Sequence, residues 1–163
     1  MIGFKNAAVA RFWSAERTRL GLSEDAEYHA ATFADPQFAP YHDELLALVA
    51  AGKKRATAHL ALDFQLNNIR RREIGDYWVV LDTNSNPCYL IRIIDVDVRP
   101  FNKVEASFAA REGEGDSSLD YWAKVHRDYF KLQCAAWGHP WNEALPTVCE
   151  GFDLIAFEGT GCQ

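Results

Sequence analysis

The sequence predicts an α+β fold in which a small antiparallel sheet or barrel is surrounded by helices inserted between its strands. Two extended runs, Tyr77–Leu81 and Cys88–Val98, are rich in β-branched and aromatic residues and flank the turn-forming stretch Asp82–Pro87, the pattern of a hairpin. Near the other end, Val148 to Phe157 reads as a further strand placed where it can close a sheet. Helical periodicity separates these extended runs.

The helices follow in order. Val9, Phe12, Trp13, Glu16 and Leu20 share helical spacing and Gly21 stands where a left-handed cap would stop the turn, so residues 5–20 form an amphipathic helix laid over the core as a lid. From Gly21 to Pro40 the chain is irregular, yet Tyr28, Phe33 and Phe38 give it rings to pack with, so it is not a linker. His42, Asp43 and Glu44 open a second helix, Tyr41–Ala51, that ends at Gly52. Lys103–Ala110 is helical and is broken by Glu112-Gly113-Glu114-Gly115-Asp116. The S-x-x-D pattern at Ser117–Asp120 then caps a last helix reaching Ala136, with Leu119, Trp122, His126, Tyr129 and Phe130 on its inner face.

A length of 163 residues supports one core and is short for two. We therefore expect a single domain over 1–163, with an N-terminal helical extension at about 1–40. No apolar run is long enough to span a membrane. The N-terminus leads straight into a charged helix, and Cys88, Cys134, Cys149 and Cys162 are widely spaced, so a cytoplasmic protein with reduced thiols is expected.

Charge is distributed unevenly. The chain carries a formal net charge of -6, which excludes a protein that coats duplex DNA by bulk electrostatics. Residues 53–72, however, hold Lys53, Lys54, Arg55, Arg70, Arg71 and Arg72 against Asp63 alone, a local +5 suited to an anionic ligand. Those cations are candidates for a groove that follows phosphates, with Tyr77, Trp78 and Tyr121 as stacking surfaces wherever they are exposed.

Chemistry concentrates at two motifs. Gly52-Lys53-Lys54-Arg55-Ala56-Thr57 sets cations and a hydroxyl on the turn between a helix and a strand. It is not a Walker A loop, because Ala47 occupies the place of the first glycine and Lys54 that of the Ser or Thr. Lys54 can lower the hydroxyl pKa of Thr57 by its charge or, with its own pKa depressed by burial, act as a base; the plainer account is cations offsetting a helix dipole. Glu112, Glu114 and Asp116 lie within five residues on a turn, where repulsion can raise one pKa into the range of a general acid, or where all three merely cap the next helix. His126 reads as a core histidine. No zinc-binding spacing is present, while a hydrated divalent ion on Glu112, Glu114 or Asp116 stays open.

In order, Gly52-x-Lys54-x-x-Thr57, Gly75-Asp76-Tyr77-Trp78-Val79-Val80-Leu81-Asp82, Pro100-Phe101, Glu112-Gly113-Glu114-Gly115-Asp116-x-Ser118-Leu119-x-x-Trp122-x-x-x-His126 and Val148-Cys149-Glu150-x-Phe152 resemble the ASCH family, in its bacterial stand-alone branch. The resemblance runs from Asp43 to Phe157. It implies a PUA-like β-barrel with helices around it, an association with RNA, and a cleft where the lysine turn meets the acidic turn. Some members are similar to single-strand ribonucleases that use a divalent metal. Small members resemble amidohydrolases that deacetylate N4-acetylcytidine through a lysine, a threonine and a glutamate, which fall here on Lys54, Thr57 and Glu112, with Glu114 as rival. This chain departs from those amidohydrolases in its N-terminal extension and in carrying His59 where an arginine follows the threonine by two residues. Gly151 replaces the basic residue common after Glu150.

The resemblance implies a hydrolase acting on single-stranded RNA, with Lys54, Thr57, Glu112 and Glu114 catalytic and Gly52, Lys53, Lys54, Arg55, Arg70, Arg71 and Arg72 binding the nucleic acid. An amidohydrolase for a cytidine-type nucleoside and a non-catalytic RNA or modified-base binding module are the alternatives. The sequence requires no cofactor and admits Mg²⁺ or Mn²⁺. One of Glu112 and Glu114 is expected to point at Lys54 and the other at water, with Glu112 on the firmer backbone.

Overall fold

The computed structural model describes residues 5–35, 37 and 41–158, so Phe4, Pro36, Phe38, Pro40 and Cys162 lie outside the described residues. The helices are α1 (Ala7–Arg19), α2 (His42–Ala50), α3 (Ala61–Leu66), α4 (Ala106–Glu112) and α5 (Leu119–Ala136). The strands are β1 (His29–Ala31), β2 (Ala56–Leu60), β3 (Tyr77–Leu81), β4 (Pro87–Pro100) and β5 (Pro146–Phe157). No helix among the described residues is long and apolar enough to cross a membrane.

One sheet runs in the order β1-β3-β4-β5-β2. The hairpin β3–β4 forms with Tyr77 opposite Arg92, and the long pairing of β4 with β5 extends from Tyr89–Phe157 to Pro100–Pro146. Register shifts at Leu90/Ile91 and Ile93/Asp95 add local twist, and β4 continues along β5 beyond the end of its pairing with β3. The sheet thus curls into a half-barrel. Closure, which the resemblance implied, does not occur among the described residues: the edges β1 and β2 do not pair with each other. Nor is the sheet wholly antiparallel, since β1 runs parallel to β3, with Ala30 opposite Val79.

Both faces of the central strands are covered, which is why Tyr77–Leu81 reads as an unbroken apolar run. On the concave face Trp78, Val80, Ile91, Ile93 and Phe152 pack with Phe33, Leu45, Val49, Phe64, Phe108, Trp122 and Phe130. On the convex face Val79, Leu81 and Leu90 meet Val9, Phe12 and Trp13 of α1. Each of these large side chains contributes about 1.5–3 kcal/mol by leaving water. α1 is a lid on the core, but it covers the face opposite the candidate site.

Two local expectations shift. The N-cap of α5 is Ser118, whose Oγ accepts from the Tyr121 N–H, rather than Ser117 of the S-x-x-D pattern. Ser117 instead takes a left-handed conformation, φ 63°, one residue earlier. Cys88 is disulfide-bonded whereas Cys134 and Cys149 are free, which corrects the expectation of uniformly reduced thiols.

Candidate functional site

Lys54 reaches its place through the end of α2. Gly52 adopts φ 74°, and the N–H groups of Lys53 and Lys54 both donate to the Leu48 carbonyl, turning the chain sharply out of the helix. The next residue is fixed at both backbone groups: Arg55 N donates to Arg111 O at 2.8 Å, and Phe152 N donates to Arg55 O at 3.0 Å. The lysine turn is thereby fastened to the end of α4 and to β5.

The acidic turn is shaped by its glycines. Gly113 ends α4 in the left-handed region, φ 67°, and Gly115 follows at φ 55°. A Cβ on Gly113 would lie 2.5 Å from the Lys53 carbonyl oxygen, and one on Gly115 would enter the Tyr121 ring at 2.4 Å. Only glycine allows both the dihedrals and the approach. As a result Glu112 and Glu114 converge on one point. Lys54 Nζ donates to Glu112 Oε2 at 2.5 Å and to Glu114 Oε1 at 2.6 Å.

Both carboxylates therefore turn inward, against the expectation that one would face water; Lys54 and Glu112 are each 1% exposed and Glu114 9%. The ammonium between them offsets the repulsion that suggested otherwise. The other oxygen of Glu112, Oε1, accepts from Trp122 Nε1 at 2.9 Å and lies 3.5 Å from His126 Nε2. Asp116 stays outside the cluster and accepts from the Ser118 N–H.

Electrostatics settle the state of the lysine. Burial alone would lower its pKa, but the Glu112 and Glu114 carboxylates and their hydrogen bonds outweigh it and raise the pKa above the ordinary lysine value. Lys54 is held as an ammonium and is no base at neutral pH. Burial opposes ionisation of Glu114, yet the neighbouring Lys54 holds its pKa below the usual carboxylate value. Burial, with Glu114 nearby, pushes the Tyr41 hydroxyl up to about 12, so it stays a neutral donor.

These groups line a small pocket of about 20 Å³ on the concave side. Thr57 of β2 opens into it, and no hydrogen bond joins its hydroxyl to any described residue. Phe33, Tyr41, His126 and Tyr129 supply the remaining ring surfaces. The aromatic walls escaped sequence reasoning because Phe33 lies within the irregular stretch and Tyr41 directly after it, and His126 and Tyr129 share the spacing of ordinary core residues.

The remaining basic residues do not form one groove. Lys53 and Arg71 are exposed, and the Arg55 guanidinium caps α2 by donating to Val49 O and Lys54 O. Arg70 pairs with Asp76 at 2.9 Å. Arg72 is 2% exposed; it donates to Glu150 at 2.6 Å and lies 3.7 Å over the Trp78 ring. It stabilises the core and offers no donor to a surface phosphate, which removes it from the expected groove. Gly151 has a local reason as well: a Cβ there would collide with Arg111 and Asp95, which pair at 2.6 Å and bring a cation to that end of the sheet.

Glu112, Glu114 and His126 each bring a ligand atom within 4.8 Å of the others, a donor set a metal could use. Lys54 Nζ already occupies the cation's position between the two carboxylates, so a metal would have to expel it. The residues as placed fit an ammonium and not a resident metal.

Comparison with known proteins places the fold. No curated protein matches the chain. Its fold is similar to the crystal structure of protein EF3133 from Enterococcus faecalis V583, of the DUF984 family, with a TM-score of 0.80 and 28% identity over 91% of this chain and 88% of that one. It is also similar to an ASCH domain from Lactobacillus crispatus JV V101, with a TM-score of 0.75 and 26% identity over 89% and 92% of the two chains. A hypothetical protein, PH0355, shares the fold alone, at 15% identity and a TM-score of 0.52, over 79% of this chain and all of that one. The ASCH domain model matches residues 29–156, from β1 nearly to the end of β5, and the chain belongs to the ASCH domain family.

Proposed function

We propose that this ASCH protein is a hydrolase that removes an acyl group from an N-acylated, cytidine-type nucleobase. ASCH domains generally bind RNA, so the base can be presented as a nucleoside or within a strand. The observation that carries the reading is the charge of the pocket: one buried ammonium faces two carboxylates, beneath aromatic walls. Such a site has no positive excess to draw in a phosphate, but it suits a neutral ring bearing an amide.

The chemistry follows from the groups present. The Thr57 oxygen attacks the amide carbonyl carbon while a carboxylate of the Glu112–Glu114 pair takes the hydroxyl proton. Lys54, retaining its proton, stabilises the negative charge that develops on the carbonyl oxygen. The C–N bond breaks, the nitrogen leaves with the bonding electrons and a proton as the free exocyclic amine, and water then hydrolyses the threonine ester to release the carboxylic acid and restore Thr57.

The ribonuclease reading draws on the exposed Lys53 and Arg71, which can hold a strand across the surface. A paired assay separates the two. Purified protein is incubated with N4-acetylcytidine and, separately, with labelled single-stranded RNA. Cytidine and acetate should appear from the first, intact strand should remain from the second, and Thr57→Val should abolish deacetylation. Strand cleavage without deacetylation would overturn the proposal in favour of a ribonuclease; neither reaction would leave base binding as the function.

A further inference from the structure

His126 is built as more than a core ring. Its Nδ1 lies 3.1 Å from the Trp122 carbonyl oxygen, an acceptor, so Nδ1 must carry a proton and donate it. That bond fixes the tautomer. The ring is further held by stacking on Trp122, with centroids 4.3 Å apart at 19°, and by the edge-on Phe130 at 5.6 Å. The free nitrogen, Nε2, is thus aimed at Glu112 Oε1, 3.5 Å away, within the lining of the pocket.

From this geometry we infer that His126 is a catalytic acid of the pocket, delivering a proton from Nε2 to the departing amine nitrogen, whereas in the second step the carboxylate pair takes a proton from the water that cleaves the threonine ester and returns it to the Thr57 oxygen. The inference deepens the proposed amide hydrolysis and rests on it. The departing nitrogen needs a proton, and His126 gives it a path. Lys54 is bound to both carboxylates and held as an ammonium, and a carboxylate accepts the Thr57 proton; the leaving nitrogen still needs one. Glu112 can pass its acquired proton across the 3.5 Å gap to Nε2, so the proton lost by Thr57 is the one the amine receives. The groups facing Nε2 are Glu112 from α4, Glu114 from the acidic turn and Lys54 from the turn before β2, with Tyr129 one turn along α5.

The test uses two substrates of unlike leaving group. Cytidine released from N4-acetylcytidine needs a proton as it departs, whereas the nitrophenolate of p-nitrophenyl acetate does not. His126→Gln should lower kcat on the amide by roughly 10²–10⁴-fold, the usual worth of a positioned acid, and leave ester hydrolysis within a few-fold of wild type. Equal retention on both substrates, or equal loss on both by a folded variant, overturns the role of His126 while wild-type deacetylation keeps the parent reading. Wild-type protein inactive on both substrates overturns the parent reading and this inference together. Should the variant fail to fold, nitrogen NMR of wild-type imidazoles decides: a neutral His126 protonated at Nε2 instead of Nδ1 overturns it, and the Nδ1–H tautomer supports it.

Discussion

Gly113 abuts the carbonyl of Lys53 so closely that a methyl group in place of its hydrogen would stand 2.5 Å from the oxygen. This contact joins the two turns that bring Lys54 to Glu112 and Glu114. Gly113→Ala must relieve both the overlap and a φ of 67°, so the turns should part. We expect a loss of about 1–3 kcal/mol in urea unfolding and a fall in kcat greater than in KM, since displacement of the charged groups harms the reaction more than entry of the base. Unchanged stability would show that the turns are not locked by this contact.

Lys54→Met should be among the most damaging single substitutions. It keeps the volume of the stem but leaves two buried carboxylates without their cation, a change that costs about 3–5 kcal/mol when one partner of a buried pair is removed. Glu112→Gln and Glu114→Gln should both lower activity, because both carboxylates touch Nζ. Combining Lys54→Met with Glu112→Gln should restore part of the stability without restoring activity; a strictly additive double variant would mean that the groups do not interact.

The scattered arginines make different predictions. Lys53→Ala and Arg71→Ala remove exposed charges, so they should weaken the binding of a single-stranded oligonucleotide and flatten its salt dependence while the protein stays folded. Arg72→Ala should act on the fold: it strands Glu150, which is 0% exposed, and uncovers Trp78. Thermal melting together with fluorescence anisotropy distinguishes the two classes.

Much of this architecture is written locally. Tyr77–Leu81, Cys88–Val98 and the inner face of α5 announce themselves by unbroken patterns, and each element forms near the expected bounds. β1 spans three residues and α3 six, too short for any periodicity, and β1 becomes a strand only because β3 offers a parallel edge. Barrel closure hinges on whether β1 and β2 meet, which neither strand encodes. At the site, Lys54, Thr57, Glu112 and Glu114 are recognisable by type and spacing. The inward turn of Glu114 was not, since repulsion between adjacent carboxylates is a local fact and the ammonium between them comes from a residue sixty positions away.

Chelation gives a direct check on the ammonium. With Lys54 already between the carboxylates, prolonged dialysis against EDTA should leave deacetylation unchanged, and added Mn²⁺ should not accelerate it. Loss of activity on chelation and its recovery with Mn²⁺ would show that a metal displaces Lys54 during turnover.

Acid sensitivity should begin with His59. It is 2% exposed, its Nε2 has no hydrogen-bond partner, Glu150 Oε2 is 3.9 Å away, and Arg72 and Lys54 contribute positive charge nearby. Burial, then Arg72 and the other neighbouring cations, holds its pKa well below the ordinary 6.5, so the folded protein keeps it neutral while the unfolded chain takes up a proton. The unfolded state therefore binds more protons below pH 6.5, and stability declines as pH falls from there, with a limiting slope of about 1.4 kcal/mol per pH unit for this one group. Glu114 adds to the decline only below the ordinary carboxylate value of 4.5, because its pKa is lowered on folding. His29, whose pKa is also lowered by burial, contributes over the same range as His59. His59→Phe keeps an aromatic ring against Phe64 and removes the titration. Its urea-unfolding free energy between pH 7 and pH 5 should fall less steeply than that of wild type by up to one proton's slope; parallel curves would mean that His59 takes up its proton in the folded state as readily as in the unfolded chain.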